Sequence, residues 1–281
     1  MIRLICLYPI SVVVRIIILI RNKLYDWNIL RATHSKLPVI SIGNIQVGGT
    51  GKTPFVASLI KLLYQNNIKP VIITRGYKRI TNQQIILNDS NQYSVEETGD
   101  EPYYLKKLFT EVSIIIDHNK NRAVHTANTM QNIDCIILDD GYQSRYIKRD
   151  IDIVLINTWA NPLHFFVMPS GYLREKISNL NRADFIYTTK GEKSKKLFTQ
   201  YNTHHLNISY QLSTYNNEKY KLVDSITKKD SQKIIAFSGI ANPNHFKESL
   251  SQINIEYDQI INLKNHYQYS LEAHPIIDDE N

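Results

Sequence analysis

Lys52 and Thr53 follow a cluster of glycines in the stretch SIGNIQVGGTGKTPF, residues 41–55. Gly48, Gly49, Thr50 and Gly51 precede them, and Pro54 follows in a first-turn position where no amide donor is needed. Glycines let main-chain amides converge on phosphate oxygens at a helix N-terminus. A lysine placed next reaches the β- and γ-phosphates, and the hydroxyl after it serves magnesium. The spacing is not G-x-x-x-x-G-K-[ST], which would put glycine at Gln46; it is nearer GG-x-GK-T. A plain strand-to-helix turn needs neither the lysine nor the threonine.

A phosphate loop needs a carboxylate for the metal at the end of another strand. Asp139 and Asp140 follow the apolar run 133–138 and meet that requirement, although Asp-Asp-Gly is also ordinary turn chemistry. Neighbouring side chains on a strand diverge, so one of the pair faces the metal directly. Gly99-Asp100-Glu101-Pro102 reads by itself as a helix opening. Beside a phosphate loop it also offers a carboxylate that positions and deprotonates an acceptor hydroxyl.

The elements that must hold these groups are strands at 37–42, 69–74, 112–116, 133–138, 151–157 and 184–188, mostly continuous β-branched runs separated by stretches long enough for crossover helices. The pattern predicts a mainly parallel α/β sandwich of the P-loop type. The texture changes near residue 200: 206–222 is polar, Tyr-rich and roughly alternating, and a new buried strand at 233–238 leads through Gly-Ile-Ala-Asn-Pro into another helix. The expected organisation is an N-terminal helix over 1–27, a core over 28–203, a two-stranded linker over 204–228 and a smaller α/β domain over 229–281.

The first residues are of another kind. Residues 4–20 are almost wholly apolar, interrupted by Pro9 and Arg15 and followed by Arg21 and Lys23. The run falls short of the ~20 apolar residues that span a bilayer, and no small-residue cleavage site follows it. It reads as a helix lying in a membrane interface, with a buried core helix as the alternative. The net charge of +7, from 33 Lys and Arg against 26 Asp and Glu, is spread along the chain. Anionic partners are favoured, but no dense basic block marks a nucleic-acid site. Cys6 and Cys135 lie in apolar runs and support neither a disulfide framework nor a zinc site.

Six stretches, SIGNIQVGGTGKTP, ITRGYKR, GDEP, ILDDGYQSRYIKRDIDIVLIN, MPSGYLREKISNLNRAD and AFSGIANPNHF, with RNKLYD at the end of the first apolar run, resemble the tetraacyldisaccharide 4′-kinases. They stand in family order over nearly the whole chain. The resemblance implies ATP, Mg2+ and transfer of the γ-phosphoryl group to the 4′-hydroxyl of an acylated glucosamine disaccharide 1-phosphate, a lipid A precursor. It also implies a peripheral enzyme on the cytoplasmic face of the bacterial inner membrane, with two α/β domains flanking the site. Carried over by motif, the phosphate loop is Gly48 to Thr53, the catalytic aspartate Asp100, the metal acids Glu101, Asp139 and Asp140, and the cleft arginine Arg174. His266, in NLKNHYQYS, falls at the middle of the family's Asp-His-His-x-aromatic motif, where it would tune Asp100, with Asn265 and Tyr267 replacing the flanking residues. Ser144 replaces a histidine, Lys78 a glycine and Tyr172 a proline, and the resemblance implies a second domain shortened at Asn281. A membrane-associated, switch-type P-loop ATPase is the alternative function, but Val47 stands where such proteins usually carry a further lysine.

Overall fold

The structure, a computed structural model, describes residues 2–88, 93–158, 165–189, 194–206, 214–216, 221–223, 234–238, 243–252 and 255–263. The chain divides into two compact units, Met1–Asn207 and Ile208–Asn281.

In the first unit, α1 (Ile2–Asp26) precedes a sheet of eight strands: β1 (Val39–Asn44), β2 (Pro70–Thr74), β3 (Ile85–Leu87), β4 (Ser113–Ile116), β5 (Cys135–Asp139), β6 (Ile151–Asn157), β7 (Phe185–Thr189) and β8 (Thr203–His205). Their spatial order is β3-β4-β2-β5-β1-β6-β7-β8. Every neighbouring pair is parallel except β3 with β4. Helices α2 (Lys52–Gln65), α3 (Val95–Thr98), α4 (Asp100–Leu108) and α5 (Lys120–Ala127) lie in the crossovers.

All residues of β2 and β5 are buried, as their unbroken apolar runs require of strands covered on both faces. Ile72 and Ile137 share one cluster with Val56 and Ile60 of α2, while Val71, Ile73, Ile136 and Leu138 join Ala123, Val124 and Ala127 of α5 in another. Alternate residues of the same strands therefore feed two cores. This packing fixes the C-terminal ends of β1 and β5 side by side, and in open parallel sheets that edge is where ligands bind.

The six strands expected in this region are present, 151–157 with its expected bounds and the others with ends shifted by one or two residues. Two edge strands, β3 and β8, add to them; each has only three residues, too few for a period to emerge from polar surroundings.

The N-terminal segment forms a 25-residue helix. Its Ser11 and Asn22 are buried, and Val14 and Ile18 pack against a cluster containing Phe165, Val167 and Leu173. No helix among the described residues is long and apolar enough to cross a membrane. The opposite side of α1 leaves Ile10, Val13, Ile17 and Ile20 each at least half exposed.

In the second unit, β9 (Thr214–Asn216) and β10 (Lys221–Val223) pair antiparallel. Beyond them β11 (Ile235–Ser238) and β12 (Gln259–Asn262) pair in parallel, and α6 (Pro243–Gln252) connects them.

Candidate functional site

The loop from β1 to α2 carries the geometry that its glycines foretell. Gly51 caps α2 at φ 84, a left-handed conformation that a side chain would strain. Among the described residues, no hydrogen bond takes up the amides of Gly48, Gly49, Thr50, Gly51, Lys52 and Thr53. A Cβ built on Gly48 meets nothing within 4 Å, so the loop faces open space. Six successive donors at a positive helix end form an anion cradle.

The loop is held from below and from the side, so its shape does not depend on a ligand. Asn44 Nδ2 donates to Thr50 Oγ1 at 2.9 Å, and Thr189 Oγ1 donates to the Thr50 carbonyl at 3.1 Å. Gln46 exchanges two hydrogen bonds with the main chain of Asn157, at 3.1 and 2.8 Å. Val47 N donates to the Tyr172 carbonyl at 2.8 Å, and Arg174 N to the Ile45 carbonyl at 2.7 Å. The tyrosine that replaces proline at 172 therefore contributes through its carbonyl, a group proline also has.

Lys52, Asp140 and Arg174 converge into one ion cluster. Lys52 Nζ lies 3.5 Å from Asp140 Oδ1, and Arg174 Nη1 donates to Asp140 Oδ1 and Oδ2 at 2.8 and 2.7 Å. Burial works to raise the Asp140 pKa, but Lys52 and Arg174 outweigh it and hold the carboxyl at about 2. Asp139 points elsewhere, as successive strand residues must: it is buried, and its Oδ2 accepts from Thr74 Oγ1 at 2.8 Å.

Asp100 and Glu101 open α4, and both are exposed. Gly99, at φ 88, comes so close to the loop after β2 that a Cβ would sit 2.8 Å from the Tyr77 carbonyl. That contact ties the start of α4 to the strand whose Thr74 holds Asp139. Lys52, Asp140 and Arg174 come from the start of α2, the end of β5 and the segment before residue 177, and Asp100 and Glu101 from the first turn of α4. His266 lies outside the described residues.

Lys120 is the member that motif reading missed. Its side chain is buried beneath the pair of aspartates, and Nζ donates to the carbonyls of Asp139 at 2.6 Å and Asp140 at 2.8 Å. Burial pulls its pKa down to about 8 against the opposing pull of Asp139 and Asp140. Asp140 has φ 48, a left-handed conformation costing about 1–2 kcal/mol in a non-glycine residue, and the ammonium braces both carbonyls there. A signal was present: Lys120, Ala123, Val124 and Ala127 share the i, i+3, i+4, i+7 face of α5, which places the lysine on the buried side. Glu175 also went unread. It is buried and accepts from Gln143, Arg182, Asn179 and, across from α1, Asn22. Burial opposes its charge, but Arg182 and the other donors keep its pKa below the usual carboxylate value. Gln143 also accepts from Arg174 at 3.3 Å, which links this knot to the ion cluster.

Two further departures from the family motifs can be placed. Lys78 adopts φ 62 where the motif has glycine, and Ser144 is buried, its amide donating to the Gly141 carbonyl at 2.8 Å.

The donors present fit a triphosphate with a metal. No group of three or more His, Cys, Asp or Glu residues among those described forms a metal cage. Magnesium in phosphoryl-transfer sites takes one or two carboxylates and completes its shell with phosphate oxygens and water. Thr53 and the aspartate pair beside six free amides match that division of ligands.

A family model described as Tetraacyldisaccharide-1-P 4'-kinase matches residues 3–281. A tetraacyldisaccharide 4'-kinase of Aquifex aeolicus (strain VF5) is 33% identical over 267 residues, covering 94% of this chain and 82% of the relative. One from Flavobacterium johnsoniae is 34% identical over 284 residues, covering 94% of this chain and 79% of its own. The crystal structure of an "apo" form of LpxK from Aquifex aeolicus in complex with ATP superposes with a TM-score of 0.79 at 30% identity, covering 98% of this chain and 85% of that one.

Proposed function

The chain belongs to the tetraacyldisaccharide-1-P 4'-kinase family, and from that premise we propose how its residues divide the work. The protein is an ATP-dependent kinase of lipid A biosynthesis that phosphorylates the 4′-hydroxyl of a tetraacylated disaccharide 1-phosphate. The observation that carries the assignment of its site is the row of six unclaimed amides from Gly48 to Thr53, with the Lys52 side chain beside Asp140 and Arg174.

In this reading the amides of Gly48 to Thr53 and the Lys52 ammonium bind the β- and γ-phosphates. Arg174 stabilises charge on the transferring group, as a guanidinium suits. Thr53, with Glu101 and either Asp139 or Asp140, would hold magnesium, which when bound neutralises phosphate charge. Asp100 takes the proton of the acceptor hydroxyl, and His266 tunes its basicity. Before nucleotide arrives, Asp140 keeps Lys52 and Arg174 drawn together, so the cations need little reorganisation. The core over 28–203 performs this chemistry; residues 204–228 link it to the smaller domain over 229–281. The exposed apolar side of α1 rests on the cytoplasmic surface of the inner membrane, so the substrate's acyl chains stay in the bilayer.

The test is direct. Incubating the protein with γ-labelled ATP, magnesium and an acylated disaccharide monophosphate in detergent yields a labelled lipid that depends on the acceptor. Label released only as inorganic phosphate, at a rate indifferent to lipid, would overturn the reading in favour of a switch-type ATPase.

A further inference from the structure

A cavity of about 310 Å³ lies between α1 and the segment 165–178, separate from the phosphate loop. That volume is at the lower end of the ~300–1,000 Å³ typical of small-molecule sites. Its walls are Val12, Phe165, Phe166, Val167, Leu173 and Ile177, with Tyr8 set edge-on to Phe166 at one end. The floor has no polar need of its own: Ser11 Oγ donates to Ser170 Oγ at 2.8 Å, and Ser170 in turn donates to the Val167 carbonyl. A smaller groove of about 60 Å³ continues from it along α1 and shares Arg15 and Lys176.

Those two cations are the unusual feature. Arg15 comes from α1 and Lys176 from the facing segment, and neither side chain has an ion pair or hydrogen bond among the described residues. Two like charges on opposite walls of an apolar cavity, with no carboxylate between them, complement a single anion that carries a hydrocarbon chain. Free phosphate satisfies the charges and leaves the apolar walls wet, and a neutral lipid does the reverse. Tyr8 at the cavity's end and Leu19 in the adjoining groove are themselves about half exposed, so a chain entering there need not leave the membrane interface.

We propose that this cavity binds one anionic glycerophospholipid of the bilayer, its phosphodiester between Arg15 and Lys176 and part of one acyl chain between α1 and Phe166. The inference rests on the reading of α1 as a membrane-surface helix. Leu173 lines the cavity next to Arg174, so an occupied cavity also props the segment that carries the arginine of the phosphate site.

Native mass spectrometry of the full chain with added dioleoyl-phosphatidylglycerol or dioleoyl-phosphatidylcholine tests it. One phosphatidylglycerol per chain should survive detergent release, and phosphatidylcholine should not. In Arg15→Gln/Lys176→Gln the affinity for phosphatidylglycerol should fall roughly thirtyfold, from about 1 kcal/mol for each basic contact. Equal retention of the two lipids, or an adduct unchanged in the double variant, would overturn the proposal. A phosphatidylglycerol with a diazirine in its acyl chain should label the peptides holding Val12 and Phe166; labelling confined to the outer stripe of α1 would also overturn it. If the acylated disaccharide monophosphate displaces the adduct at lower concentration through the same two residues, the cavity belongs to the substrate and the proposal fails. Flotation on mixed phosphatidylcholine and phosphatidylglycerol vesicles separates the two readings. A protein that floats but retains no lipid loses only this inference, whereas one that does not float loses the membrane reading and this inference with it.

Discussion

The phosphate loop and the start of α4 lie on the same unit but are built in opposite ways. Around Lys52 the loop amides are left for a ligand while the groups that support them are committed: the loop is pinned through Thr50, Gln46 and Val47, and the Asp140 carboxylate is shared by two cations. At the start of α4, two exposed carboxylates stand on the first turn of a nine-residue helix. One region is set before any ligand arrives, and the other is open to solvent. Loose phosphoryl transition states gain mostly from positioning and charge neutralisation. The rigid region should therefore carry the larger share of the rate.

Substitutions can break that ranking. Lys52→Ala should lower kcat by about a thousandfold, the scale of losing a well-placed electrostatic donor. Asp100→Asn should lower it by about a hundredfold, at the lower end of general-base catalysis. Turnover of the acylated disaccharide monophosphate by both variants decides the matter, and equal losses would mean that base and cradle contribute alike. Lys120→Met sharpens the comparison from underneath. It touches no phosphate in the proposed arrangement, yet without it two buried carbonyls lack a donor and Asp140 loses its brace. A kcat loss of about tenfold, together with destabilisation by about 1–3 kcal/mol from the unsatisfied groups, is expected. Lys120→Arg, which retains the charge, should recover part of the loss.

The two regions also differ in how much of them the sequence revealed. The parallel sheet was readable because its central strands are continuous β-branched runs, and the loop because its lysine, threonine and glycines are close in sequence. Lys120, Glu175 and Gln143 were not readable in this way. Their importance comes from what lies across the fold from them: two carbonyls at the end of β5, Asn22 on α1, and Arg174. Arg174 was found only through resemblance to a family, since Gly-Tyr-Leu-Arg-Glu has no local sign that its arginine meets Asp140. The short edge strands escaped for another reason: three residues do not make a period.

Acid titration separates the ion cluster from the rest of the molecule. The folded Asp140 carboxyl ionises near pH 2, below the ~3.9 of an unfolded aspartate. The unfolded chain therefore binds this proton more tightly. The stability Asp140 contributes is complete above about pH 4 and is lost as pH falls towards 2. In urea melts over that range, the difference between wild type and Asp140→Asn should shrink steadily as the pH drops. A constant difference would mean that the charge of Asp140 is not what holds Lys52 and Arg174.

The smallest expected effect probes how α1 is tied to the phosphate side. Asn22 donates to Glu175 at 3.1 Å, and Glu175 also receives Gln143, which accepts from Arg174. Asn22→Ala removes one of four side-chain donors from a carboxylate that is only 1% exposed. A hydrogen bond to a charged group contributes about 1.5–3 kcal/mol, and the three remaining donors should keep the loss near the lower figure. In a chain of this size that lowers Tm by roughly 3–6 °C. If the helix merely lies against the core, kcat stays unchanged in the stable fraction. If the chain of contacts from Asn22 through Glu175 and Gln143 helps orient Arg174, kcat falls a few-fold while KM for ATP holds, because Lys52 and the loop amides remain in place. Asn22→Asp is the sharper variant: it keeps the side chain's size but sets a second carboxylate against Glu175, so it should destabilise more than the alanine.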